Sequence, residues 1–290
     1  MAGSPLLTRV RNRVARRRLH RWRTAADRSS EPHIVRGGAP RSGTTVLRRL
    51  LARHPQIRAG AATTRFVPAA FNLECLAGAY DIPLAELERM RTAATSQGAF
   101  IDAFAARVLK DSGKERWAEK TPQNIQHLDW IAQRFQRAAL VHIIRDGRDV
   151  VCSMRRHPDW RWVEGKWQKV LVERPLEWYA RRWLEDTAAG MAWRDDERYV
   201  ELRYEDLVAD PTTVLRAVCD GIGVAPDASW LEAALVPAPA GNPGQTERPD
   251  YEGAVSGASV GRWRADLGAD ERREVERLCG PRLRELGYEA

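Results

Sequence analysis

The 290-residue sequence predicts an α/β fold of the phosphate-loop (P-loop) type, a three-layer fold with a central parallel sheet flanked by helices. Three observations carry this. Short apolar runs of strand length alternate along the chain with segments of helical periodicity. A glycine-rich loop, Gly38–Thr45, falls between the first strand and the first helix. The same order of strand, tight turn and helix returns at 138–156, and ligands in such sheets sit at the carboxyl ends of the strands.

The folded body opens with the strand signal His33-Ile34-Val35, which runs into Gly37-Gly38. The first helix begins at Thr44, because Leu47, Leu50 and Leu51 recur at helical spacing, and His54-Pro55 stops it. Helices are expected at 81–91, 99–110 and 124–135. The strand Ala138–Ile144 follows, then a helix from about Arg148 to Arg156. A long helix over about 174–193 carries Trp178, Tyr179, Trp183 and Trp193, which read as core. Tyr199–Arg203 reads as a strand and 211–222 as a helix. Pro, Gly and Ala crowd 236–258 and indicate a loop, and a charged amphipathic helix closes the chain at about 270–286.

Composition narrows the class. The chain is 43% apolar and 30% charged, which supports a sizeable core and excludes a disordered protein. The net charge of +8 sits on residues 1–30, which hold nine arginines, no lysine and one acid. The sequence therefore divides into a basic Arg-rich arm, 1–30, and a charge-balanced domain, 31–290. A balanced body does not point to nucleic acid as a partner. For the arm two readings stand, a solvated tail or contact with an anionic membrane surface. No apolar run reaches about 18 residues, so no bilayer span is expected. No apolar stretch follows Arg16-Arg17-Arg18, so no export leader is expected. Cys75, Cys152, Cys219 and Cys279 are scattered among apolar neighbours, as in reduced thiols of a cytoplasmic protein.

Two segments carry chemistry. In Gly38-Ala39-Pro40-Arg41-Ser42-Gly43-Thr44-Thr45, glycines let the backbone approach an anion and the helix start adds positive potential. The two glycines have the spacing of the nucleoside-triphosphatase loop, but Thr44 stands where that loop has its lysine. That absence opposes a P-loop kinase, the rival class. In Val141–Ser153, Arg145 leaves a strand at its carboxyl end and Ser153 lies on the following helix. An arginine fork beside a hydroxyl suits a second phosphate, with surface salt bridges as the other reading. Arg148 and Asp149 read as helix-start pairs.

Together these segments resemble the sulfotransferases that use 3′-phosphoadenosine 5′-phosphosulfate (PAPS). Ala39–Thr45 resembles that family's 5′-phosphosulfate loop, and Arg145 and Ser153, eight apart, its 3′-phosphate pair. Trp117-Ala118-Glu119-Lys120-Thr121-Pro122 is similar to the W-x-E-K-T-P element of bacterial members. Tyr204-Glu205-Asp206-Leu207, Ser259-Val260-Gly261-Arg262-Trp263 and the ending Leu283–Tyr288 also match, so the likeness covers about 33–290. The run Arg41–Arg58 places it nearest the branch shared with protein-tyrosine sulfotransferases.

The resemblance implies metal-free, in-line transfer of a sulfuryl group from PAPS to a hydroxyl or amine, leaving adenosine 3′,5′-bisphosphate (PAP). It implies that Arg41, the N–H groups of Ser42, Gly43, Thr44 and Thr45, and both threonine hydroxyls hold the 5′-phosphosulfate. Lys120 would stand at the transferring group, with a surface ion pair to Glu119 as its other reading. Arg145 and Ser153 would hold the 3′-phosphate, and Tyr204, Arg262 and Trp263 would lie against the nucleotide.

The pattern departs in two places. Ser256-Gly257-Ala258 stands where many relatives carry R-K-G. In Gly60-Ala61-Ala62-Thr63-Thr64-Arg65-Phe66, alanines occupy both glutamate positions of the related G-E-E-T-R stretch, and Pro122 takes the place of the histidine of the cytosolic branch. A neutral hydroxyl acceptor needs a base. The sequence leaves the base open: the candidates are Glu119, with a structural role as its other reading, His127, with an ordinary partly buried histidine as its other reading, and more weakly Glu74 and His54. An acidic acceptor, or a PAPS-binding protein with weak catalysis, would need none. The acceptor is expected to be a small molecule, glycan, lipid-linked group or peptide, with Trp160, Trp162 and Trp167 as candidate walls of its pocket.

Overall fold

The computed structural model describes residues 22, 28–60, 72–110, 112–163, 166–170, 172–235 and 257–289. Ala61, Ala62, Ser256 and most of the arm and of the 236–258 loop lie outside the described residues, as do the side chains of Trp160, Trp162 and Trp167.

Strands β1 (Ile34–Gly37), β2 (Ile57–Ala59), β3 (Arg116–Lys120), β4 (Ala139–Ile144) and β7 (Tyr199–Arg203) form a parallel sheet in the order β2-β3-β1-β4-β7. β5 (Asp159–Val163) and β6 (Lys166–Val170) make a separate antiparallel hairpin. β1 and β4 are buried along their whole length, as expected of central strands with helices on both faces. Register pairs Ile34 with Ala118 on one side and with Ala139 on the other.

Alternation along the strands sorts the core into layers. Ile34, Ala118, Val141 and Ile143 meet Leu47, Leu50 and Leu51 of α1 (Thr44–Ala52), with Leu207 of α8 (Tyr204–Ala209) and Leu215 of α9 (Pro211–Ile222). Val35, Trp117 and Leu140 face the other way, onto α2 (Leu73–Tyr80), α3 (Leu84–Ala93), α4 (Gln97–Lys110) and α5 (Leu128–Arg134). A third cluster joins α6 (Gly147–Arg156), α7 (Leu176–Met191) and the final helix α12 (Ala269–Glu285) around Val150, Val151, Trp183 and Cys279. Short helices α10 (Ala228–Leu235) and α11 (Trp263–Asp266) complete the order.

The structure differs from the sequence reading in several elements. The stretch 124–135 splits into a 3-10 turn, Pro122–His127, and α5, with Pro122 opening the tighter turn. Helices α2, α8 and α10, strands β2 and β3 and the β5–β6 hairpin add to the elements expected. Trp178 is exposed and stacks beneath Arg174, whereas Trp183 is fully buried. Part of the arm is docked: Ser29 bridges Phe135, and the Trp22 Nε1–H donates to the Ala94 carbonyl at 3.2 Å. Three of the cysteines are buried and Cys75 is half-buried; burial pushes Cys152 and Cys219 up to about 11 and Cys279 to about 12. Among the described residues no helix is long and apolar enough to cross a membrane.

Candidate functional site

Four neighbouring strands release their chains at one edge of the sheet. β3 ends at Lys120, β1 runs into the Gly38–Gly43 loop, β4 ends before Arg145 and β7 before Tyr204. Parallel pairing thus gathers segments that lie far apart in sequence.

In the first loop two glycines have no substitute. A Cβ on Gly38 (φ 149°) would overlap the Ile143 carbonyl, and one on Gly43 (φ 97°) would overlap the Tyr204 ring. Arg41 has φ 75°, a left-handed conformation that a side chain rarely adopts and that clusters at ligand-binding turns. The Ser42 N–H closes the turn onto the Ala39 carbonyl at 3.1 Å. Helix α1 then starts from Gly43 with no side-chain cap, so its first N–H groups face the loop without intrahelical partners. The Ser42 hydroxyl is fully buried and has no hydrogen-bond partner among the described residues. Donors and positive helix potential converge here, as an oxyanion requires.

The second turn is tied to the first. Arg145 is 4% exposed; its Nη1 donates to the Arg41 carbonyl at 3.1 Å, its Nη2 to the Ser259 carbonyl, and its guanidinium lies 4.8 Å from the Tyr204 ring centre. Its buried Nε–H has no partner among the described residues. The Arg41 Nε–H donates to the Ser153 hydroxyl at 3.1 Å, and the Trp183 indole N–H fixes the Arg145 carbonyl at 3.0 Å. Arg41, Arg145 and Ser153 therefore form one hydrogen-bonded group, with Arg41 bonded to the other two.

Arg148 makes the expected helix-start pair, a fork onto Asp146 with Nη2 to Oδ2 at 2.8 Å. Asp149 does something else. Its Oδ2 accepts the Gly261 N–H at 2.8 Å and its Oδ1 the Trp263 N–H at 3.0 Å, and Arg145 Nη2 lies 3.6 Å away. Burial pushes this carboxyl up, against the pull of the Trp263 N–H, Arg145 and the Gly261 N–H. The Trp263 ring is buried beneath Arg148 at 4.0 Å and Arg264 at 4.5 Å. The Arg262 Nε–H pairs with Asp266 at 2.6 Å, and Asp266 also holds Arg156. The Ser259–Trp263 segment thus meets the site through its backbone.

Lys120 and Glu119 part company. Neighbours on a strand point to opposite faces. Lys120, half-buried, lies on the α1 side with Nζ 3.4 Å from the Thr45 hydroxyl. Glu119 is fully buried on the other side, where Thr121 donates to Oε1 at 2.6 Å and the Asn124 amide to Oε2. The other base candidates are also placed. His127 is half-buried on the 3-10 turn and Glu74 is exposed in the first turn of α2. His54 is fully buried against Trp230, with Nε2 on the Ala225 carbonyl at 3.0 Å.

Sequence reasoning missed Asp149, although Arg145 and Asp149 are four apart where a helix begins and so share a face. It also missed Arg36, the register partner of Lys120, buried with Nε and Nη2 on the Glu119 and Ala118 carbonyls at 3.3 and 3.2 Å. Burial, with Arg48 close by, pushes Arg36 down to about 9. Among the described residues no group of three or more His, Cys, Asp or Glu is placed to hold a metal ion.

Comparison with known proteins gives these results. A family model described as "Sulfotransferase family" matches residues 32–228. Mouse "Protein-tyrosine sulfotransferase 1" is 31% identical over 125 residues, 42% of this chain and 34% of that protein. The chain therefore spans about a third of the length of that relative. "Nodulation protein NoeE" of Sinorhizobium fredii is 27% identical over 289 residues, covering 87% of this chain and 65% of that protein. In fold, the chain is similar to the sulfotransferase domain of the Synechococcus PCC 7002 olefin synthase, with a TM-score of 0.67 at 20% identity over 93% of this chain and 99% of that one. It is also similar to mouse sulfotransferase SULT7A1 complexed with PAP, with a TM-score of 0.57 at 16% identity over 89% of this chain and 86% of that one.

Proposed function

Because the chain belongs to the sulfotransferase family, we propose that it transfers a sulfuryl group from PAPS to a hydroxyl or amine of an acceptor. The observation that carries this reading is the common edge at which β3, β1, β4 and β7 end, which brings together an anion loop, Arg145, the Arg41–Ser153 pair and Lys120. The donor set suits a nucleotide with two anionic ends: the buried Ser42 hydroxyl and Arg145 Nε–H each have a hydrogen bond to give.

PAPS supplies the sulfuryl group, bound to a 5′-phosphate through a mixed anhydride. The Ser42 hydroxyl and the N–H groups of Gly43, Thr44 and Thr45, with Arg41, receive the 5′-phosphosulfate end; the Ser42 N–H stays in the turn, on the Ala39 carbonyl. Arg145 and Ser153 receive the 3′-phosphate. Lys120, beside Thr45, places its ammonium where negative charge gathers on the leaving oxygen, which removes the need for a metal. Tyr204, packed on Gly43 and under Arg145, backs the loop on the nucleotide side. Arg262 and Trp263 help to close the nucleotide side.

We assign Glu119 to positioning. With both its oxygens engaged on the face away from Lys120, it holds the β3 end and the 3-10 turn. With alanine at 61 and 62 as well, the reading favours, among the expected small-molecule, glycan, lipid-linked and peptide acceptors, one whose hydroxyl is more acidic than an aliphatic alcohol, such as a phenol. We read the protein as cytoplasmic, divided into the arm (1–30) and the domain (31–290), with the arginines of the arm as the feature that would favour an anionic membrane surface over a solvated tail.

Thermal shift tests the donor. PAP should raise the melting temperature more than ATP–magnesium does, by mass action; stabilisation by ATP–magnesium alone would sink the reading in favour of a P-loop kinase. With labelled PAPS and a series of phenols, Lys120→Ala should abolish transfer. Glu119→Gln should keep the wild-type dependence on phenol acidity; a steeper dependence in the variant, with weakly acidic phenols losing most, would make Glu119 the base.

A further inference from the structure

We propose that Asp149 is a positioning residue that latches the Ser259–Trp263 turn over the 3′-phosphate end of the nucleotide, and so makes the protein select for a 3′-phosphate. The inference deepens the reading above and rests on its assignment of Arg145 to that phosphate.

The geometry is a closed ring. Arg145 Nη2 donates to the Ser259 carbonyl; two and four residues on, the N–H groups of Gly261 and Trp263 end on the two oxygens of Asp149, at 2.8 and 3.0 Å. Asp149 closes the ring at 3.6 Å from Arg145, one helical turn away. Gly261 has φ 71°, which turns its N–H inward and leaves Val260 exposed at the tip. The far end of the turn is pinned, because the Trp263 ring lies beneath Arg148, itself locked onto Asp146.

A phosphate is a much stronger partner for a guanidinium than a carbonyl is. When Arg145 takes a 3′-phosphate, the Ser259 carbonyl loses its donor. The Ser259 end of the turn would then be released but for Asp149, which holds the turn by two N–H bonds that do not involve Arg145, while the Trp263 ring keeps the far end in place. The phosphate therefore binds under a turn already in place, and the ordering cost is met by the fold. A nucleotide without the 3′-phosphate leaves Arg145 on Ser259 and gains nothing from the latch.

Calorimetric titration of the full chain with PAP and with adenosine 5′-monophosphate reads this directly. Wild type should prefer PAP. Asp149→Asn, which loses one acceptor oxygen, should weaken PAP about tenfold while leaving the monophosphate within about twofold, the scale of one charged hydrogen bond. Equal loss for both nucleotides, or full retention of the preference, would overturn the latch. A wild type that does not distinguish the two would overturn the 3′-phosphate assignment itself, and the latch with it. A second measurement needs no variant. Amide hydrogen exchange at Gly261 and Trp263 should slow under saturating PAP and stay near the free rate under the monophosphate; equal slowing by both would overturn the proposal.

Discussion

The two strand–turn–helix units at the heart of the sheet look alike and are finished in opposite ways. After β1, helix α1 starts from a glycine with no side-chain cap, and the Ser42 hydroxyl beside it has no partner among the described residues. After β4, helix α6 starts from Asp146, whose carboxylate accepts the Arg148 N–H, and Asp149 lies in its first turn. The first unit leaves its positive end for an outside anion. The second fills that end with its own carboxylates and offers an arginine side chain to the ligand instead. One architecture thus yields a backbone anion site and a side-chain anion site, set side by side by parallel pairing.

The contrast breaks hardest at Asp146. Asp146→Ala removes the α6 cap and strands Arg148, which is 3% exposed. Loss of one partner of a buried pair should cost about 3–5 kcal/mol, read by urea denaturation. Ser42→Ala in the first unit should leave unfolding within about 1 kcal/mol, since its hydroxyl bonds nothing in the free protein.

Next comes Gly43→Ala. Its Cβ meets the Tyr204 ring at a left-handed φ, so a loss of about 1–3 kcal/mol is expected together with weaker PAP binding. Intact PAP affinity in that variant would show that the loop is not the phosphate site. Arg145→Lys keeps the charge and removes the fork; PAP affinity should fall about tenfold while monophosphate affinity holds.

The smallest effect concerns pH. Burial raises the Asp149 carboxyl in the folded protein, so the folded state keeps its proton longer than the unfolded chain does. That contribution to stability is fully present below the unfolded value of 3.8 and is lost as pH rises through the folded one. Asp149→Asn should lack this slope in acid denaturation, and an unchanged slope would remove Asp149 as its source.

How far the sequence disclosed this site depends on where each signal lies. The first loop was legible because its glycines carry backbone requirements that no other residue meets. β4 was legible because a strand buried on both faces is apolar throughout. β3 was not, since Arg116-Trp117-Ala118-Glu119-Lys120 mixes charge with bulk, and its burial comes from neighbours distant in sequence. Read as a strand, it would have separated Glu119 from Lys120 by alternation alone. Asp149 escaped because its partners are backbone N–H groups 112 and 114 residues away, which leave no mark on side-chain pattern. Trp178 escaped because helical spacing does not tell a core tryptophan from one resting on an arginine at the surface.

The central claim is that the two units hold the two phosphates of one nucleotide. It is tested most directly by titrating the protein with PAP and with each of its monophosphates, adenosine 5′-monophosphate and adenosine 3′-monophosphate. The account predicts that PAP binds at least about a hundredfold more tightly than either, a gain of about 2.7 kcal/mol from joining the two sites. PAP binding no more tightly than its 5′-monophosphate would contradict it.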